Sequence, residues 1–251
     1  MAPIQLRPRS ASEIVDAAFQ ILRAHYAQFV MCSALAYTPW LIIELMLVGG
    51  GSFTTAPSPS TSVILVVGGW LMYALMSAVL IVCASQAYLG EPVDVGVAVR
   101  RVLPRLPTVL LGAVTRYFFM IITLITIIGP IYVAARLFAV TPVIVLEGES
   151  VGSALRRTSF LSTGRKWHVL NTLGLVAIIY WILLLGVQGA ALMLGNRMVL
   201  MIVTAVFTIM VYPAVGITEA LLYFDTRIKS EGLDIELMAG ALDAPRAPAA
   251  S

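Results

Sequence analysis

VILVVGGWLMYALMSAVLIVCASQAYLGEPVDVGVAVRRVLPRLP, residues 63–107, is the stretch that decides the fold. From Val63 to Tyr88 it holds no charged side chain. At about 1.5 Å per residue, a helix over that run exceeds the roughly 30 Å hydrocarbon layer of a bilayer. Beyond Gly90 the chain turns polar, and Arg100, Arg101 and Arg105 follow in quick succession. An uncharged run followed by a short basic connection is how a membrane span reads as it leaves the lipid.

Five more apolar runs flank this one, at roughly 27–48, 108–128, 131–146, 169–193 and 198–223. The chain is 60% hydrophobic and 12% charged, with a mean hydropathy of +0.95. Soluble domains are about half apolar and about a quarter charged, so a water-soluble fold is excluded. The expected fold class is all-α: a polytopic membrane helical bundle of six transmembrane helices. Residues 1–239 form a single membrane domain, and the Ala/Pro-rich residues 240–251 read as a disordered tail. No cleavable leader precedes the first run, which then acts as its own insertion signal.

The connections set the orientation. Residues 49–62 carry no charge, Gly129–Pro130 reads as a hairpin turn, and Gly195–Asn196–Arg197 as a tight one. Of the 16 Lys and Arg residues, thirteen fall in the N-terminal segment, the 90–107 and 147–168 connections, and the C-terminal tail. Only Arg197 falls on the other side, while Arg116 and Arg136 lie inside apolar runs. The positive-inside rule then places both termini in the cytoplasm. Changing the number of spans by one would destroy this alternation.

Each of three polar segments on the basic side leads into a pair of spans. ASEIVDAAFQ from Ala11, EPVDVGVAVRR from Glu91 and ESVGSALRR from Glu149 all read as short capped amphipathic helices. In the first, Ser10 and Glu13 have capping-box spacing, and Ile14, Ala17, Ala18, Ile21 and Leu22 form an apolar stripe. Such helices are expected to lie in the membrane interface. The pattern suggests three units of interfacial helix plus hairpin. Tyr26, Tyr88, Trp167 and Tyr223 at the predicted boundaries read as an aromatic belt.

Four ionisable residues lie inside the apolar runs: Glu44, Arg116, Arg136 and Glu219. Counting residues from the span ends puts Glu44 and Arg136 about 6 and 9 Å below the outer edge, and Arg116 and Glu219 about 12 and 6 Å above the inner one. The depths predict two pairs, Glu44 with Arg136 and Arg116 with Glu219. Burial in lipid makes such residues functional candidates, with structural pairing or snorkelling as the plainer reading. The run at 131–146 is the weakest span. Its nine Leu, Ile, Val and Phe residues favour insertion by about 3–5 kcal/mol, against about 2.5–3.5 kcal/mol for Arg136. Pro39, Pro142 and Pro213 lie within spans and can break them.

The basic residues Arg100, Arg101, Arg156, Arg157, Arg165 and Lys166 are expected to face lipid headgroups. Cys32 and Cys83 sit in apolar runs and read as small hydrophobes. Asp225, Glu231, Asp234 and Glu236, interleaved with Arg227 and Lys229, read as a solvated tail. No zinc, nucleophile-elbow, phosphate-loop or paired-cysteine motif appears, so no catalytic residue, metal or cofactor is expected. Nucleic acid is not an expected partner, because the basic residues border apolar runs instead of forming a basic domain.

Four stretches carry a family resemblance: LRPRSASEIVDAAFQILRAHY from Leu6, GPIYVAARLFAVTPVIVLEGES from Gly129, SALRRTSFLSTGRKW from Ser153, and YFDTRIKSEGLDIE from Tyr223. Together they resemble the bacterial glycerophosphoryl diester phosphodiesterase membrane-domain proteins, with Gly129–Pro130 in reversed order. The resemblance implies a stand-alone membrane module in a bacterial cytoplasmic (inner) membrane. It implies no catalytic barrel and brings no established site residues. Membrane lipids, and a membrane-protein partner, are the expected partners. A small-solute or ion transporter using the intramembrane charges is the alternative.

The topology is directly testable. In a background lacking Cys32 and Cys83, Ser12→Cys and Thr163→Cys should react with an impermeant maleimide from the same face, and Ser58→Cys from the other. Labelling of positions 12 and 163 from opposite faces would contradict the six-span arrangement.

Overall fold

The computed structural model describes residues 9–48, 57–126 and 128–231. The expected tail at 240–251 lies outside the described residues, as do Asp234 and Glu236. Among the described residues, six helical segments are long and apolar enough to cross a membrane, matching the six runs. The protein is a multi-pass, all-α integral membrane bundle.

The three short helices on the basic side form where the sequence places them. They are α1 (Ala11–Ala24), α4 (Val95–Val102) and α8 (Val151–Ser162). In each, the residue before the helix caps it: Ser10, Asp94 and Ser150 accept from the backbone N–H groups of Glu13, Val97 and Ser153. Ser10 completes a capping box, since Glu13 accepts from the Ser10 N–H at 2.8 Å. The apolar stripe of α1 is not left to lipid. Ile14, Val15, Ala18, Ile21 and Leu22 are buried, and α1 packs on α9 (Lys166–Leu192) and α11 (Pro213–Glu231). The apolar face of α1 is thus covered by the bundle.

At the centre, α3 (Pro59–Tyr88) packs along α2 (Tyr26–Val48) on one side and α11 on the other. Every side chain from Met76 to Tyr88 is buried. Gly216 lets α11 approach α3 closely, since a Cβ there would fall 2.8 Å from the Leu80 Cβ. Tyr88 stacks on Phe224 with ring centres 4.8 Å apart. Tyr88 and Tyr223 are therefore core residues, while Tyr26 and Trp167 stay exposed as belt residues should. The outer faces of the long helices expose Met46, Trp181, Ile182 and Met193. Such a surface is intolerable in water and suits lipid.

Two spans are broken. α5 (Leu106–Ile122) ends in a 3-10 turn, Thr123–Ile125, and α6 starts at Ile128. The hairpin thus turns before Gly129–Pro130, and Pro130 enters the first turn of α6, where its missing N–H costs nothing. After α6 (Ile128–Arg136) the chain is irregular over 137–139. It resumes as α7 (Val140–Pro142) and a π-helical turn, Val143–Glu147. Pro142 cannot donate to the carbonyl four residues earlier, which opens this break. Gly148, at φ +81°, ends the segment. In the last run, Pro213 separates α10 (Arg197–Val211) from α11. α11 then continues to Glu231, past the expected span end near Tyr223.

Cys32 and Cys83 are unoxidised, fully buried, and face each other across α2 and α3 with their Sγ atoms 2.8 Å apart. Copper–phenanthroline oxidation of membranes should therefore give an intrachain Cys32–Cys83 disulfide in unreduced peptide maps. Failure to cross-link under conditions that oxidise a surface pair would place the two helices apart.

Candidate functional site

The basic end of α11 reads YFDTRIKSE, from Tyr223 to Glu231. Tyr223, Arg227 and Glu231 recur every four residues and share one face, while Asp225 and Lys229 share another. On the first face, Tyr223 donates to Glu147 at 2.6 Å, and Arg157 donates to both oxygens of Glu147 at 2.9 and 3.2 Å. Arg157 also holds Glu231 in a bidentate pair, with one bond at 2.9 Å. Arg227 closes the cluster by donating to Glu231 at 3.0 Å and to the Tyr223 hydroxyl at 3.4 Å. Burial alone would lower the pKa of Arg157, but the bonds to Glu147 and Glu231 outweigh it and hold it above its ordinary value. Two carboxylates face two guanidiniums, so the cluster is internally neutral.

The second face centres on Asp225, only 3% exposed. Its carboxylate accepts from the Arg9 N–H at 2.8 Å and the Lys229 ammonium at 2.7 Å, and pairs with His168 Nε2 at 2.9 Å. Lys229 also donates to the Arg9 carbonyl at 2.8 Å, and Arg165 donates to the Lys229 carbonyl at 2.5 Å. The expected solvated tail is corrected here. Asp225 and Glu231 are helical and tied to α8, α9 and the N-terminal segment. The repeated spacing of four was the signal that the helix continues.

A second polar region lies deeper, between α3, α5, α7, α9 and α11. It is a half-enclosed chamber of about 210 Å³ lined by Tyr73, Ser77, Arg116, Tyr117, Tyr212 and Glu219 among others. Glu219 accepts from Ser77 at 2.7 Å, and Arg116 approaches its other oxygen at 3.9 Å. The predicted Arg116–Glu219 pair is therefore formed, as a loose contact. The Arg116 Nε is buried without a hydrogen-bond partner. Tyr73 packs on Tyr212 with ring centres 5.0 Å apart, and Tyr117 stacks on Trp70 at 4.9 Å.

The third region is a lateral groove of about 590 Å³ between the α5–α6 hairpin and α8. Phe119, Val133, Leu137 and Leu155 form apolar walls, with Arg136 and Arg156 beside them. Arg136 donates from Nε to Ser159 at 3.0 Å. The predicted Glu44–Arg136 pair does not form. Arg136 turns toward α8, whereas Glu44 belongs to α2, which packs on α3 and α10. Equal depth did not imply the same side of the bundle.

Four of the six basic residues expected at headgroups bond within the protein. Arg101 donates to the Leu146 carbonyl at 3.0 Å, Arg157 and Arg165 join the α11 clusters, and Lys166 donates to Tyr132 at 3.0 Å. Arg100 and Arg156 make no hydrogen bond or ion pair among the described residues. Sequence reasoning missed Arg105, which donates to the carbonyls of Ile144 and Val145 at 3.1 and 2.5 Å. These bonds satisfy carbonyls that the broken fourth span leaves open. It also missed Glu147, His168 and the chamber tyrosines. Compared with protein-family models, curated proteins and solved structures, the chain matches none.

Asp225→Ala would leave Lys229, His168 and the Arg9 N–H facing a buried gap. It should destabilise the protein by about 3 kcal/mol, the scale for breaking one partner of a buried ion pair. Arg100→Ala, with no partner to lose among the described residues, should cost at most about 0.5 kcal/mol. Detergent-solubilised thermal melts compare the two, and equal effects would contradict the cluster's structural role.

Proposed function

We propose that this protein is a non-catalytic membrane module that binds anionic phospholipid in the groove between α6 and α8. The observation that carries this reading is the pairing of Arg136 and Arg156 with a lateral apolar wall. Arg156 has no partner among the described residues, and Arg136 uses its Nε on Ser159 and also reaches the Tyr132 hydroxyl, which leaves part of its five-donor guanidinium uncommitted. Both keep donors for a phosphate, while Phe119, Leu137 and Leu155 offer contact to the first methylenes of an acyl chain. Amphiphiles with an anionic head and apolar tails match both halves.

The basic-residue count supports placing this groove in the cytoplasmic leaflet, with both termini cytoplasmic. Membership of the glycerophosphoryl diester phosphodiesterase membrane-domain family, in a bacterial inner membrane, is part of the same proposal. Its support is that the resembling stretches contribute to shared ionic clusters: Arg9 from the opening, Glu147, Arg157 and Arg165 from the middle, Asp225 to Glu231 from the close. The transport alternative draws on the Arg116–Glu219 chamber, a separate cavity.

Native mass spectrometry tests the reading on protein released from vesicles of mixed phosphatidylglycerol and phosphatidylcholine. Phosphatidylglycerol should be retained preferentially. At about 1 kcal/mol per basic contact, Arg136→Gln with Arg156→Gln should weaken that retention about tenfold or more. Equal retention of the two lipids, or no change in the double variant, would overturn it.

A further inference from the structure

The Arg116–Glu219 chamber holds opposite charges that approach without closing. A guanidinium carries five N–H donors. Among the described residues none of those on Arg116 makes a hydrogen bond, and its closest approach to Glu219 is 3.9 Å. One donor, Nε, is buried and unpartnered. Leaving such a group unmatched in a low-dielectric interior is unfavourable, the more so when it is charged. Glu219 is oriented independently, by Ser77 at 2.7 Å. The two charges are thus held side by side on separate supports, α5 and the α3–α11 pair, with a cavity opening beside them.

That cavity is about 210 Å³, room for roughly seven water molecules at about 30 Å³ each. Tyr73, Tyr117 and Tyr212 line it, and aromatic rings of this kind can attract a cation. An oxyanion would be drawn to Arg116 and an ammonium to Glu219 and the tyrosines. A ligand carrying only one charge would leave the opposite protein charge without a counter-charge closer than the 3.9 Å contact.

We propose that the chamber binds a small zwitterion, its oxyanion on Arg116 and its ammonium on Glu219 within the tyrosine wall. The ligand is either the zwitterionic headgroup of a lipid or a free solute of the same chemistry. The site shares no lining residue with the Arg136–Arg156 groove. It stands whether or not that groove holds anionic lipid.

The test uses the full chain in detergent and O-phosphoethanolamine as the soluble probe, followed by calorimetric titration. Inorganic phosphate and ethanolamine are titrated as separate halves. A parallel arm measures, by native mass spectrometry, retention of phosphatidylethanolamine against phosphatidylcholine, whose bulkier quaternary ammonium cannot donate to Glu219. The intact zwitterion should bind at least tenfold more tightly than either half. Binding of the soluble probe alone assigns a free solute. Selective retention of phosphatidylethanolamine alone assigns a lipid headgroup, and either outcome supports the site.

Arg116→Lys and Glu219→Gln should each weaken binding about tenfold or more, while Arg100→Ala, which lines neither the chamber nor the groove, should leave it unchanged. Melting temperatures confirm that each variant is folded, and the comparison of halves on the unaltered protein needs no variant. The proposal is overturned if neither zwitterion binds. It is also overturned if a half binds as well as the whole, or if folded Arg116→Lys and Glu219→Gln proteins bind undiminished.

Discussion

The burial of Asp225 is the constraint from which much of this structure follows. A carboxylate removed from water is tolerated only when it is paired and hydrogen-bonded. Its partners come from three separate segments: the backbone before α1, His168 at the start of α9, and Lys229 one turn further along α11. Satisfying one charge thus ties the first, fifth and sixth helical units together at the basic end. The neighbouring face of α11 does the same for the middle of the chain, where Arg157 and Glu147 join α8 and the fourth span. Helices in lipid lack a strong hydrophobic drive to associate. These polar bonds supply what the apolar surfaces cannot: a particular arrangement of helices.

The backbone obeys the same constraint. In hydrocarbon every N–H and C=O must find a partner inside the protein. The fourth span leaves its last carbonyls open where it ends before Gly148, and arginine satisfies them. Arg105 reaches the carbonyls of Ile144 and Val145, and Arg101 that of Leu146. A cation at the C-terminal end of a helical segment also meets the negative end of its dipole. The short, proline-broken span is therefore supported by the connection preceding its own hairpin. This explains why a segment with near-balanced insertion energy can hold its place.

How much was legible follows from what each kind of signal measures. Run length and the placement of arginines are local, and they yielded the six spans. Capping residues are local too, and the three short helices formed behind Ser10, Asp94 and Ser150. Depth along a span is also local, and it matched Arg116 with Glu219. It carries no information on azimuth, and so it paired Glu44 with Arg136 although α2 and α6 pack on different neighbours. The tail failed for another reason. Interleaved charges resemble a solvated segment unless their spacing is read, and Tyr223–Arg227–Glu231 and Asp225–Lys229 both carry the four-residue interval of a continuing helix. The chamber needed side chains from five separated segments and the groove from three, a combination that no single stretch of sequence displays.

The positive charge on one face carries a wider lesson about membrane proteins. A count of arginines at an interface measures orientation well, because insertion responds to charge before the fold exists. It measures lipid contact poorly, because folding then redistributes the same residues. Arg101, Arg105, Arg157 and Arg165 all turn inward onto carbonyls or carboxylates. Arg100 and Arg156 keep no partner among the described residues, and Arg136 keeps only the hydroxyls of Ser159 and Tyr132. Of these three, Arg136 and Arg156 flank one apolar groove. Charge left over after internal bonding, and located beside an apolar wall, is a sharper indicator of headgroup contact than the total.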